Sequence, residues 1–90
     1  SLPQRMAKDA KTRLQELLQG NKLPLPVYRV VSCTGAQNDQ TFVSECLIEP
    51  FAVRTIGAGP RRQSAEQAAA QAALDALKTL PAAARLKSVE

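Results

Sequence analysis

The sequence predicts an α+β fold of order α-β-β-β-α, with two helices packed on one face of a three-stranded antiparallel sheet. Two stretches, residues 9–20 and 61–78, carry apolar side chains at helical spacing. Between them, residues 27–56 alternate apolar and polar side chains in three runs separated by turn-forming clusters. Ninety residues suit one domain with a single two-layer core.

In the first helix, Asp9 suits the N-cap and Gly20 the C-terminal cap. Ala10, Leu14, Leu17 and Leu18 share one face, the core stripe. Thr12, Gln15, Glu16 and Gln19 form a second stripe at i, i+3, i+4 and i+7. Only Glu16 among them is charged, and all can hydrogen-bond. The stripe is therefore either a solvated face or a reading surface.

Leu23, Pro24, Leu25 and Pro26 form an extended linker, because proline disfavours helix at itself and at the preceding residue. The first strand, residues 27–34, puts Tyr28 and Val30 on one face and Arg29, Val31 and Cys33 on the other. Residues 35–40 make a polar turn. The return strand, residues 42–48, groups Phe42, Ser44, Cys46 and Ile48 on one face. Glu49 and Pro50 turn the chain into a third strand over residues 51–56.

Seven of the thirteen residues from 65 to 77 are alanine, the best helix former. Gly57, Ala58, Gly59 and Pro60 block helix upstream, so the last helix begins near Arg61. Ala65, Ala69, Ala73 and Leu77, flanked by Ala70 and Leu74, make a narrow stripe that lets the helix lie close on a sheet. A helix N-terminus favours acids or an external anion, yet here it carries Arg61 and Arg62. That placement costs about a few tenths of a kcal/mol in the free protein. The two arginines are either solvated surface residues or receptors for a phosphate.

The net charge of +4 is compatible with an anionic partner. No apolar run approaches the length of a membrane span, and the N-terminal residues do not read as a signal peptide. With no histidine, His-based acid–base catalysis and His/Cys zinc sites are excluded. Cys33 and Cys46, expected to face outward and inward, read as free thiols of a cytoplasmic chain. The domain is expected over residues 9–79, after an N-terminal linker (1–8) and before a loosely ordered tail (80–90).

Three blocks carry a resemblance to a known family. They are Asp9 to Glu16 in the first helix, Pro26-Val27-Tyr28 entering the sheet, and Gly57 to Gly59 followed by Ala65 to Ala70. Together they resemble a double-stranded RNA-binding domain, specifically the C-terminal domain of bacterial ribonuclease III. As a general property of such domains, the resemblance implies an A-form duplex bound over about 16 bp, across two minor grooves and the phosphates between. On this chain, Thr12, Gln15 and Glu16 would meet ribose 2′-hydroxyls and base edges in one minor groove, with Gln19 at the margin. Gln37 and Asn38 would enter the next minor groove. The family pattern there is Gly-Pro-x-His, and this chain has Gly35-Ala36-Gln37-Asn38. Arg61, Arg62 and Gln63 would meet the phosphates where the family has Ser-Lys-Lys, and Arg62 matches a basic position.

The resemblance further implies a parent endoribonuclease that processes double-stranded RNA such as rRNA precursors, dimeric through a nuclease domain that uses Mg²⁺. This chain lacks the glutamate-rich nuclease signature and is expected to bind RNA, as a monomer by itself, without catalytic residues, metal ligands or cofactor of its own. The alternative is a protein-interaction module of the same fold with weak or no RNA binding, suggested by the departures at Ala36, Asn38 and Gln63.

Overall fold

A computed structural model describes residues 9–80. Its elements are α1 (Ala10–Gly20), β1 (Val27–Ala36), β2 (Asp39–Ile48), a 3-10 turn (Glu49–Phe51), β3 (Val53–Gly59) and α2 (Arg62–Lys78). The sheet is antiparallel, in the order β1-β2-β3, and the α-β-β-β-α order is the expected one. The linker expected over residues 1–8 and the tail beyond Leu80 lie outside the described residues, while Leu80 itself packs on the core.

One apolar layer joins helices and sheet. Leu14 and Leu18 of α1 meet Cys46 and Ile48 of β2 and Ala69, Ala70, Ala73, Leu74 and Leu77 of α2. Fully burying each leucine contributes about 1.5–3 kcal/mol. The alanine stripe of α2 is matched by Gly57 on β3, where a Cβ would collide with the Ala69 backbone and stand 2.6 Å from the Ala65 carbonyl oxygen. Thr55 adds a hydrogen bond from its Oγ1 to that carbonyl layer, 2.7 Å from the Ala69 oxygen.

The structure departs from the sequence reading in several places. A bulge between Val30 and Ser32 shifts the β1 register, so Cys33 pairs with Phe42 and lies on the face of Tyr28 and Cys46 rather than opposite it. Cys33 is nonetheless exposed, because the hairpin extends past the helices, and both cysteines are free. β3 starts at Val53 instead of 51, because Glu49 to Phe51 form a 3-10 turn and Ala52 takes a left-handed φ of 53°. It runs on through Gly57 to Gly59, which pair with Ser44, Val43 and Phe42. Gly20 is the last helical residue of α1 and Asn21 is its C-cap. The left-handed position after it is held by Lys22, with φ 60°. Backbone bonds from Leu23 N–H to Leu18 O (2.9 Å) and from Lys22 N–H to Gln19 O (3.0 Å) close the helix in a Schellman arrangement.

Candidate nucleic-acid interface

The polar stripe of α1 lies on the side of the helix away from Leu14 and Leu18. Thr12, Gln15 and Gln19 are exposed and Glu16 is half-buried. Asp9 occupies the N-cap position but makes no side-chain capping bond. The orphan backbone N–H of Lys11 instead donates to Gln67 Oε1 of α2, at 3.1 Å. The Lys11 ammonium also donates to Glu66 Oε1 at 2.6 Å and stands 4.8 Å from the centre of the Tyr28 ring. The start of the α1 stripe is thereby fastened to the second turn of α2.

The turn expected over residues 35–40 is tighter than that. Gly35 pairs with Gln40 and Ala36 with Asp39, leaving Gln37 and Asn38 alone as the exposed tip. Neither tip residue has a positive φ; Gly35 takes that strain at +101°, and a Cβ there would run into the Asp39 carbonyl. Ala36, where the family pattern has proline, is the last residue of β1.

β3 ends at Gly59 opposite Phe42, so the hairpin beyond Phe42 projects from the end of the sheet at which the chain enters α2. Phe42 stands four residue steps from the Asn38 tip, a reach of about 14 Å. Arg61 is the N-cap of α2, and Arg61, Arg62 and Gln63 are all exposed. Arginine has no acceptor to offer as a cap. Ser64 reaches back instead: its Oγ accepts the Arg61 N–H at 3.0 Å and donates to the Arg61 carbonyl at 2.9 Å. The tip and the arginines thus share one end of the sheet, and α1 joins α2 one turn further on.

Charge pairing separates the basic residues. On the open face of the sheet, Arg29 (3.1 Å) and Arg54 both bind Glu45, which is only 6% exposed. Lys11 is bound to Glu66. Among the described residues no carboxylate pairs with Arg62, which leaves its guanidinium available to an outside anion. Beneath the interface, burial pushes the Tyr28 phenol and the Cys46 thiol up from their ordinary values; the thiol's rise is partly offset by hydrogen bonds with Tyr28 and Thr55. No three His, Cys, Asp or Glu side chains among the described residues are placed to hold a metal ion, and no helix there is long and apolar enough to cross a membrane.

A family model described as double-stranded RNA binding motif matches residues 10–77, from the first residue of α1 almost to the end of α2. The chain belongs to this family. Ribonuclease 3 of Cupriavidus pinatubonensis is 49% identical over 78 residues, covering 87% of this chain and 30% of that protein. Ribonuclease 3 of Bordetella pertussis is 47% identical over 83 residues, covering 92% of this chain and 32% of that protein. The chain thus spans about a third of the length of these curated relatives. A solved structure of Arabidopsis HYL1 superimposes with a TM-score of 0.67 at 38% identity, over 80% of this chain and all of the other.

For a domain of this family, the sequence-expected residues fall on three exposed segments: α1, the hairpin tip and the start of α2. Residues that the sequence reading did not single out join or finish those segments. Lys11, Glu66 and Gln67 tie α1 to α2 across 55 and 56 residues, a separation that leaves no local signal. Ser64 had one, a hydroxyl at the third helical position able to reach the cap.

Proposed function

We propose that this domain grips an A-form RNA duplex through all three segments. Thr12, Gln15 and Glu16, with Gln19 at the margin, read 2′-hydroxyls and base edges in one minor groove. Gln37 and Asn38 enter the next, and Arg62, with Arg61 and Gln63 beside it, takes the phosphates between. The observation that carries this reading is Arg62: an exposed guanidinium at a helix N-terminus with no carboxylate partner among the described residues, where backbone N–H groups also favour an anion. The paired Arg29 and Arg54 lie on the open face of the sheet and contribute no such opening.

The parent protein is then a ribonuclease III-like endoribonuclease that cuts and processes double-stranded RNA, such as rRNA precursors, in the cytoplasm. Its Mg²⁺ and its homodimer contacts belong to a nuclease domain outside this chain. The identity to proteins named Ribonuclease 3 supports this reading.

The test is a salt titration of binding to a duplex of about 20 bp. Log affinity is expected to fall against log salt with a slope of magnitude about 2–4 if that many phosphates are engaged. Arg62→Ala is expected to weaken all duplex sequences alike and to lower that slope by about one. A DNA duplex of the same sequence, lacking 2′-hydroxyls, is expected to bind more weakly. A flat salt response, or no binding at low salt, overturns the reading and favours a protein-interaction module.

A further inference from the structure

We propose that Lys11 is a positioning residue for the phosphate contact, holding the Glu66 carboxylate away from Arg62 so that the guanidinium stays open to RNA. The inference rests on the phosphate role given to Arg62 above. Glu66 follows Arg62 by four residues on α2, the spacing at which opposite charges on a helix meet. A carboxylate there would supply from within the chain the negative charge that an RNA phosphate brings from outside. It would compete with the ligand.

Glu66 is held elsewhere. Its Oε1 lies 2.6 Å from Lys11 Nζ, with the two side chains only 17% and 34% exposed. Such shielding from water strengthens this pair relative to one with the exposed Arg62. Lys11 is fixed by two further contacts, its backbone bond to Gln67 and its ammonium over the Tyr28 ring. One lysine therefore neutralises the nearest acid on α2 and leaves the arginine one turn earlier without a carboxylate partner among the described residues.

A double-mutant cycle on duplex binding tests this. Lys11→Met frees Glu66 while keeping the bond to Gln67, which uses the backbone N–H. An i, i+4 pair competes by about a factor of two, so K11M is expected to lower affinity about twofold at low salt. The salt slope should fall toward that of Arg62→Ala. Adding Glu66→Gln to K11M removes the competitor and should restore the slope and most of the affinity. In the wild-type background the same E66Q change should alter affinity by less than about twofold and leave the slope unchanged. Lys11→Arg, which keeps the ion pair, should bind as the wild type does, and matched unfolding midpoints exclude loss of fold.

If E66Q has the same effect in both backgrounds, or the slope stays low in the double variant, Lys11 is itself a phosphate ligand and the proposal fails. Failure of the wild type to bind duplex would instead overturn the underlying reading of Arg62.

Discussion

The backbone N–H of Lys11 donates to the side-chain oxygen of Gln67, 3.1 Å away and 56 residues further along the chain. α1 is thus capped by a residue of α2, while Asp9, at the N-cap position, contributes no side-chain bond. Gln67→Ala should cost about 1 kcal/mol of stability, the usual cost of losing a cap. Asp9→Ala should cost only about a few tenths, through its charge at the helix end. Urea unfolding of the two variants checks the order, and a larger loss in D9A would contradict the assignment.

Gly57 sets how closely α2 can lie on the sheet. Any side chain there meets the Ala69 backbone and the Ala65 carbonyl, neither of which can swing aside as a flexible side chain would. Gly57→Ala is expected to destabilise the domain by about 3 kcal/mol, at the upper end of overpacking costs. A change below about 1 kcal/mol in thermal or chemical unfolding would show that the helix can lift without penalty.

What the sequence made legible was set by repeating local patterns. The six expected positions on α2, Ala65, Ala69, Ala70, Ala73, Leu74 and Leu77, are all buried, because a helical period leaves no choice of face. Cys33 is exposed and free as the alternation predicts, but it lies on the other face, because one bulged residue near Val31 flips every later side chain and no residue type announces a bulge. The exposed positions of Gln15, Arg62 and Asn38 followed from helix face and turn chemistry. The clamp from Lys11 to Glu66 and Gln67 did not, since it exists only once the chain has folded.

Lys22 holds the left-handed position that ends α1, at φ 60°. A side chain costs about 1–2 kcal/mol in that conformation. Glycine is free of this cost but gives up about 0.5–1 kcal/mol through the greater freedom of its unfolded chain. Lys22→Gly should therefore raise stability by about 0.5 kcal/mol, provided both closing hydrogen bonds survive. The midpoint of thermal unfolding should rise; a fall would mean that the lysine side chain makes an offsetting contribution to the folded state.

Among the described residues the buried Tyr28 hydroxyl has no oxygen or nitrogen partner, and it lies beside the weakly bonding Cys46 thiol. Burial chiefly, then the neighbouring Cys46 and Glu66, raises the phenol above its ordinary value of 10.0. The folded state therefore keeps its proton where the unfolded chain releases it. This contribution is fully present below about pH 10 and is lost as pH rises toward the folded value. At pH 10.5 the loss from this one group is on the order of 1 kcal/mol. Tyr28→Phe should be as stable as the wild type or more so at pH 7, because the buried hydroxyl it removes has only the weakly bonding Cys46 thiol as a partner. Between pH 9 and 10.5 the variant should lose less stability than the wild type by that amount. Urea unfolding at the two pH values measures the difference, and parallel losses would show that the phenol ionises as readily in the fold as outside it.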